Sequence, residues 1–385
     1  MFGNAEHHLR GIARAKEARR RISRWLQSGA DGLVLTGPAA VSWACGGVAP
    51  PVDRAAAVDL VWAVFTAGGS WLITTNVEAD RIRDEYDPAA HGFDGLAEVP
   101  WYSASRFVDA ALDLTGVPAH RLSSDGHPSF GHDAADELIA LRLALSAPER
   151  DELADLGTDA AHALQASLAQ WRPGESDLDI QARCAALLEE AGADAPVLIV
   201  GGDDRLERYR HPMAIGAPVR RRTMAVVVAR RRGLHVALTR FAAAGPPDKE
   251  YEALRRKVLA IEDAVLAASN LAATYGTALE ALAAGYAAAA AEGEWKRHYQ
   301  GGPIGFAQRE FEIAPGQTRS RWYSQPVEAW QAIAWNPSLT GGAKAEDTYL
   351  VMPDGPLTLV STAPGWPADV SESGISRPAV LEVSR

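Results

Sequence analysis

Hydrophobic and polar positions in the first part of the chain alternate in a way that predicts a mixed unit of helices and strands. The predicted helices span residues 14–28, 78–85 and 104–114, and the predicted strands span residues 31–37, 60–65 and 70–75. The last two strands flank Gly68-Gly69, a pair typical of a hairpin turn. Because strands and helices are interspersed, we expect this unit to be α/β.

A change of pattern near Leu141–Glu149 marks the end of that unit. One apolar run ends there and a long helical pattern begins, with Ser146 as N-cap and Pro148 in the first turn. We place the domain boundary at this point, between residues 1–144 and 145–385. Beyond it the pattern predicts helices at 147–170 and 176–191 and within the alanine-rich stretch 250–291, and strands at 196–200 and 224–229. Prolines, glycines and short β-branched runs in 303–360 predict an antiparallel sheet with loops.

The composition is that of a folded protein and argues against nucleic acid as a partner. Hydrophobic residues make up 47% and charged residues 23% of the chain. The formal net charge of -11 repels phosphate backbones and anionic lipid headgroups, so we expect neither nucleic acid nor a membrane as a partner. Arginines account for 33 of the 38 basic residues, which indicates a GC-rich bacterial genome.

The two cysteines and the N-terminal sequence bear on the compartment. Cys45 and Cys184 lie far apart, and they predict neither a disulfide framework nor a cysteine-based zinc site. The N-terminal sequence lacks the apolar core of a signal peptide, and no run of about 18 apolar residues occurs. We therefore expect a cytoplasmic protein that is neither exported nor membrane-spanning.

Four segments after residue 200 concentrate polar residues or glycines beyond what a scaffold requires. They are Tyr209–Pro212, His298–Glu310, Trp335–Ser338 and Lys344–Thr348. His211 can act as an acid or base near neutral pH, because the unperturbed pKa of histidine is about 6.5. The glycines of Gly301–Gly305 allow close approach of a ligand, but they lack the spacing of a dinucleotide site. Taken singly, each segment is explained at least as well by a surface loop or a turn.

Taken together, in their order and spacing, the segments resemble the creatinase, prolidase and aminopeptidase P family. The shared order runs through His211-Pro212, the Gly-Leu-His-Val-Ala-Leu-Thr-Arg run at 233–240, residues 301–310, Asn336-Pro337 and Glu346-Asp347. The resemblance covers essentially the whole chain. It implies an α/β N-terminal domain, residues 1–144, and an α+β C-terminal catalytic domain with the pita-bread fold, residues 145–385. It also implies a homodimer.

The metal ligands of that family are another matter. Its metallopeptidases bind two divalent metals through two aspartates, a histidine and two glutamates. Aligned on the shared segments, the aspartates fall on Val226 and Ala237, the histidine on Gly302 and one glutamate on Asn336, whereas Glu346 keeps the ligand type. One carboxylate is too little to hold a two-metal cluster. The chain thus resembles a subgroup without the metal ligands, and we expect neither a metal nor another cofactor.

The polar residues that remain resemble those of creatinase, the member that cleaves a carbon–nitrogen bond without metal by histidine acid–base catalysis. By this resemblance the catalytic residues are His211, Glu310 and Glu346. Neighbours with donor or positive character are expected to bind substrate: Tyr209, Arg240, His298, Gln300, Arg309, Asn336 and Lys344. That character suits an anionic or amide-bearing substrate at least as well as a cation.

Three hypotheses for the function stay open. The first is a metal-independent hydrolase that cleaves a carbon–nitrogen bond of a small polar molecule, with His211 moving the proton while Glu310 and Glu346 orient water or substrate. The second is a lyase, cyclase or isomerase, which would need the same residues. The third is a non-catalytic pseudo-peptidase that keeps the fold for binding. An ordinary metallopeptidase ranks below these because its ligands are missing.

Overall fold

The structure is a computed structural model that describes residues 5–47, 53–54, 56–103, 105–370 and 374–383. The chain divides into two units. Residues 1–150 with 232–234 form the N-terminal unit, and residues 151–231 with 235–385 form the C-terminal unit. The expected domain limit at 144/145 stays a prediction.

The N-terminal unit is built on one mixed sheet. Its helices are α1 (Ala5–Gln27), α2 (Pro38–Ala44), α3 (Ala79–Arg81), α4 (Arg106–Thr115) and α5 (Ala135–Leu143). Its strands are β1 (Leu33–Leu35), β2 (Val61–Thr66), β3 (Gly69–Thr75), β4 (Gly95–Val99), β5 (Ser123–Ser124) and β6 (His132–Asp133), in the order β4-β3-β2-β1-β5-β6. The antiparallel β2–β3 hairpin confirms the turn predicted at Gly68-Gly69. One apolar cluster of this unit includes the buried residues Val34, Trp62, Val64 and Ile73.

Most helices that lead into and belong to the C-terminal unit follow the predicted pattern, whereas the short helix at Asp204–Arg208 was not predicted. The helices are α6 (Ala147–Gln170), α7 (Asp177–Glu190), α8 (Asp204–Arg208), α9 (Lys249–Ala268) and α10 (Tyr275–Ala288). Helix α7 begins after Ser176, whose hydroxyl accepts a hydrogen bond from the Asp179 N–H. The alanine-rich stretch thus forms two helices, separated by a turn and a capping box at Thr274 and Thr277.

Two four-stranded sheets and two two-stranded sheets complete the described part of the C-terminal unit. Its strands are β7 (Asp194–Gly202), β8 (Arg222–Arg231), β9 (Leu234–Ala244), β10 (Gly301–Ile304), β11 (Ala332–Trp335), β12 (Ser338–Leu339), β13 (Ala343–Lys344), β14 (Asp347–Leu350), β15 (Thr358–Leu359), β16 (Ala368–Val370), β17 (Ser376–Pro378) and β18 (Leu381–Val383). The first four-stranded sheet has the order β18-β9-β8-β7, the second has the order β10-β11-β14-β15, and β12–β13 and β16–β17 form the two-stranded sheets. The second sheet is antiparallel throughout, as predicted for 303–360.

Some predicted elements differ in detail. The helix predicted at 78–85 is only the short α3 followed by a π-helical turn at Ile82–Tyr86. The helix predicted at 104–114 is α4, and Ala104 lies outside the described residues. Helix α10 ends within the run of alanines at 287–291, since Ala290 adopts a left-handed φ of 55° and the Ala291 N–H bonds back to the Tyr286 carbonyl. Among the described residues, no helix combines the length and hydrophobicity needed to cross a membrane.

Candidate active site

The register of the second sheet brings three predicted site residues to one edge. Gly301 of β10 pairs with Trp335 of β11, and Trp335 pairs with Asp347 of β14. Gln300, Asn336 and Glu346 each stand one residue beyond this row, so they meet at the same end of the sheet. The Asn336 N–H donates to the Gln300 carbonyl at 3.0 Å.

Glu346 is a buried carboxylate at the centre of this edge. Its Oε2 lies 2.9 Å from Lys344 Nζ and accepts from the Thr239 hydroxyl at 2.8 Å, while its Oε1 accepts from Asn336 Nδ2 at 3.3 Å. Burial raises the pKa of Glu346, but Lys344, the Thr239 hydroxyl and Arg309 together outweigh burial, and the net pKa is lowered. The carboxylate therefore stays ionised near neutral pH.

Lys344 supplies the positive charge of this pair from β13. Its backbone is fixed because β13 pairs with β12, where Ser338 lies opposite Lys344. Both side chains of the Lys344–Glu346 pair are 5% exposed. Such a pair contributes position and charge more than net stability, because desolvation offsets most of the attraction.

Two histidines lie near this ion pair. The Nε2 atoms of His211 and His298 are 3.1 Å apart, and their ring centroids are 5.0 Å apart. One Nε2 must carry a proton and the other must accept it. Burial and then the Lys344 charge lower the pKa of both rings, that of His298 to about 2, while Glu346 opposes the shift of His211. Both histidines are therefore mostly neutral at pH 7.

The loop that carries His211 is anchored by Arg210. The Arg210 guanidinium donates to the hydroxyls of Ser338 at 3.1 Å and Thr340 at 3.2 Å, and it forms an ion pair with Glu294. Sequence reasoning missed this role, and its adjacency to His211 is the only sequence signal. The exposed Tyr209 has a single ring contact, with the guanidinium of its neighbour Arg208, and this contact leaves its substrate role a prediction.

Gln300 holds the second histidine in place. Its Nε2 donates to the carbonyls of Trp295 at 2.9 Å and His298 at 2.8 Å, and its Oε1 accepts from the Tyr286 hydroxyl at 2.9 Å. Gln300 is buried and these bonds occupy its amide group. Gln300 therefore positions the backbone at His298, just before β10. A contact between Gln300 and substrate stays a prediction.

An open cleft of about 520 Å³ borders the histidine pair. Its lining residues are Arg210, His211, Trp295–Gln300 and Glu312–Ala314. His211 is exposed, and the imidazole pair lies within reach of a small molecule in this cleft. The volume matches that of pockets that hold small ligands.

Arg309 places a second cation beside Gly302. A Cβ atom on Gly302 would lie 3.9 Å from both Cδ and Nη1 of Arg309. Arg309 Nη1 donates to the Ala334 carbonyl at 3.3 Å, and its Nε lies 3.5 Å from Glu312. Burial lowers the pKa of the guanidinium, whereas Glu312 and Glu346 raise it. The guanidinium thus packs on the position where the family resemblance places a metal-binding histidine.

The contacts of Glu310 and Arg240 favour structural roles. Glu310 Oε1 accepts from the N–H groups of Phe306 at 2.7 Å and Ala307 at 3.2 Å, so it closes its own turn. Arg240 is buried and donates to Asp347 at 2.9 Å and to the carbonyls of Thr239 and Ser361. Since these bonds tie β9 to β14, the geometry does not favour the substrate contact expected of Arg240. The catalytic role expected of Glu310 stays a prediction that its contacts do not favour.

The residues at the expected metal positions do not fit a two-metal centre. Val226 and Ala237 are buried apolar residues in β8 and β9, and Gly302 has no side chain. Asn336 and Glu346 bond to each other, and Glu346 is neutralised by Lys344. In the described ranges, no group of three or more histidine, cysteine, aspartate or glutamate residues could hold a metal ion.

Comparison with known proteins decides the fold. Dipeptidase PepE from Mycobacterium ulcerans superposes with a TM-score of 0.71 at 20% identity over 99% of both chains. A prolidase from Thermococcus sibiricus gives a TM-score of 0.70 at 15% identity over 90% of this chain and 97% of its own. This chain has the pita-bread fold. The N-terminal α/β domain expected with that fold is present as well.

The pita-bread fold also occurs outside the peptidases found. The N-terminal domain of FACT complex subunit SPT16 from Cicer arietinum matches with a TM-score of 0.61 at 13% identity, over 92% of this chain and 95% of that one. No protein-family profile and no curated protein sequence matches the chain. At these identities the likeness establishes the fold alone.

Proposed function

We propose that this chain is a metal-independent hydrolase of the creatinase, prolidase and aminopeptidase P family that cleaves a carbon–nitrogen bond of a small polar molecule. The observation that carries the proposal is the neutral His211–His298 pair, 3.1 Å apart at the edge of a cleft and next to the buried Lys344–Glu346 pair. The lowered pKa keeps the His211 imidazole in its neutral form at pH 7, the form that can accept a proton.

The proton path follows from this arrangement. His211 accepts a proton from water as the water oxygen bonds to the substrate carbon. The same proton then passes to the departing nitrogen as the carbon–nitrogen bond breaks, so water is consumed and His211 is restored. Acid–base help of this kind is worth roughly a hundred- to ten-thousand-fold in rate.

Charges around the histidines support a substrate that bears an amide or an anionic group. Lys344 and Arg309 are fixed cations near the point where negative charge develops on the attacked group, an arrangement that stabilises such charge. The Asn336 Oδ1 is buried without a hydrogen-bond partner, and it can accept from a substrate N–H. Here Glu346 acts as the anion that holds Lys344 and Asn336.

A screen of amides, ureides and guanidino compounds tests the proposal. Turnover should incorporate oxygen from ¹⁸O-labelled water into the product and should fall at least about a hundredfold in His211→Ala. Turnover without ¹⁸O incorporation would favour a lyase, cyclase or isomerase instead. Tyr299→Phe, which removes an exposed hydroxyl in the same cleft, serves as the matched control and should keep most of the rate.

A non-catalytic binding module is the second candidate. It is favoured by the full neutralisation of Glu346 and by the occurrence of this fold in a FACT complex subunit. A non-catalytic binding protein should keep its affinity for its ligand in the His211→Ala variant, and neither the wild type nor the variant should show turnover. The homodimer expected from the family resemblance also stays a prediction, which light scattering after size-exclusion chromatography checks directly.

A further inference from the structure

A second cavity of about 520 Å³ lies in the C-terminal unit and shares no lining residue with the cleft at His211. It is bordered by the start of β8, the end of β9 and the loop that joins β9 to α9. Its lining residues are Pro173, Asp203, Arg220–Arg222 and Ala243–Asp248. Three consecutive arginines on one wall distinguish it from the other cavities described.

Arg222 is the unusual member of this wall. It is only 9% exposed, and its guanidinium lies over the Tyr251 ring at 3.6 Å from the centroid. Within the described part of the chain no carboxylate or carbonyl accepts a hydrogen bond from this guanidinium, and its Nε is fully buried. A buried guanidinium with unused N–H donors is costly unless a ligand accepts from it.

The carboxylates in the cavity are already used by the backbone. Asp203 accepts from the N–H groups of Arg220 and Arg221, both at 2.8 Å, and from that of Arg222 at 3.1 Å. Asp248 caps α9 by accepting from the Tyr251 N–H at 2.7 Å. These two acids therefore orient the loop and the helix and leave the guanidinium of Arg222 unpaired.

The other two arginines of this wall have different surroundings from those of Arg222. Arg221 is turned to α8, where it pairs with Asp204 and lies 3.8 Å from Glu207. Arg220 is exposed on the same wall and adds positive charge. The cavity thus offers one buried guanidinium, one exposed guanidinium and the positive end of the 20-residue helix α9.

We propose that this cavity binds a small oxyanion, a phosphate group either free or carried by a small metabolite. Arg222 is the anchor, because a guanidinium matches the spacing of two phosphate oxygens. Arg220 contributes the second charge. The Tyr251 ring packs against one face of the Arg222 guanidinium and holds it in place, while the N–H donors lie around the edge of the group.

Calorimetric titration with inorganic phosphate at constant ionic strength tests the site, and glycerol 3-phosphate tests whether an ester is accepted. We expect millimolar or tighter binding, weakened at least about tenfold in Arg222→Gln, since hydrogen bonds to a charged group are lost. Arg221→Gln is the matched control, because this neighbouring arginine is already paired, and it should bind as the wild type does. Tighter binding of the ester than of free phosphate would identify a metabolite site, whereas equal binding would identify a phosphate site.

Two further variants keep the test decisive. Arg220→Gln changes an exposed side chain and should fold normally while weakening binding a few-fold, so it answers the question if Arg222→Gln fails to fold. His211→Ala should bind phosphate like the wild type, which separates this site from the proposed catalytic function. No heat at about 20 mM phosphate, or equal affinity in Arg222→Gln and the wild type, would overturn the proposal.

Discussion

Removal of the Lys344 charge is the sharpest test of the buried ion pair. In Lys344→Met, Glu346 keeps its bonds from Thr239 and Asn336 but loses the ammonium group at 2.9 Å. At an effective dielectric constant of about 20, unit charges at that distance attract by about 6 kcal/mol. The variant also escapes the desolvation of Lys344, so we expect the free energy of unfolding to fall by about 3–5 kcal/mol.

The pH dependence of this loss of stability gives a second test of the ion pair. The pKa of Glu346 is lowered in the folded wild type, so its contribution to stability is present above the unfolded pKa, about 4.5, and is lost as the pH falls below it. Without Lys344, burial becomes dominant and should raise that pKa. Protonation then relieves the strain, and the difference between variant and wild type should shrink as the pH falls from 8 toward 4.5.

Urea unfolding at several pH values measures both effects, and the double variant Lys344→Met with Glu346→Gln supplies the control. The double variant removes both charges and should recover most of the lost stability. A loss below about 1 kcal/mol in Lys344→Met, or a loss that does not change with pH, would refute the interpretation of a buried, charged pair.

Other consequences concern the histidines and the residues around them. The acidic limb of the pH profile of kcat/KM should have its midpoint below 6.5, because the pKa of His211 is lowered, and a midpoint above 7 would contradict this. Thr239→Val should destabilise the protein by about 1.5–3 kcal/mol in urea unfolding, since a buried carboxylate loses a donor; Ser28→Ala, at an exposed site, is the control. Arg210→Met should lower kcat by roughly tenfold to a hundredfold through misplacement of His211, and an unchanged kcat would show that the loop is held otherwise.

Local sequence patterns predicted many of the individual helices and strands, whereas the pita-bread fold itself was expected from the family resemblance. The β2–β3 hairpin follows from Gly68-Gly69 between two apolar runs, and the start of α7 follows from the Pro173-Gly174 pair that ends the preceding helical pattern. The break between α9 and α10 could not be predicted from alanine content. At this break the Thr274–Thr277 capping box begins α10, and the Tyr275 N–H donates to the Gln325 carbonyl, 50 residues away in sequence.

The candidate site was predicted only in part, because its assembly also depends on contacts between segments that are distant in sequence. The ordered segments indicated His211, Asn336 and Glu346. The meeting of Asn336 and Glu346 depends on the register of β11 and β14, and His211 is placed by its contact with His298; no short pattern reports either feature. The same limit explains Arg240, a cation beside a site motif that turns inward because Asp347 lies across from it. Thr239 precedes Arg240 in the same run and was missed as a partner of Glu346.

The residues at the expected metal positions change how the charge of Glu346 is compensated. At three positions where the family resemblance places metal ligands, this chain has the apolar or small residues Val226, Ala237 and Gly302. The cations Arg309 and Lys344 both act on the one acid that remains, Glu346. The charge balance of the site is thereby met by side chains of the chain itself.

The most direct test of the central claim is the turnover number of chelator-treated wild type and His211→Ala on the best substrate from the screen, with and without added manganese, cobalt or zinc. The proposal predicts that the wild-type rate survives chelation, is not increased by metal, and falls at least about a hundredfold in His211→Ala. A wild-type rate that appears only with added metal, or a rate that His211→Ala leaves unchanged, would contradict it.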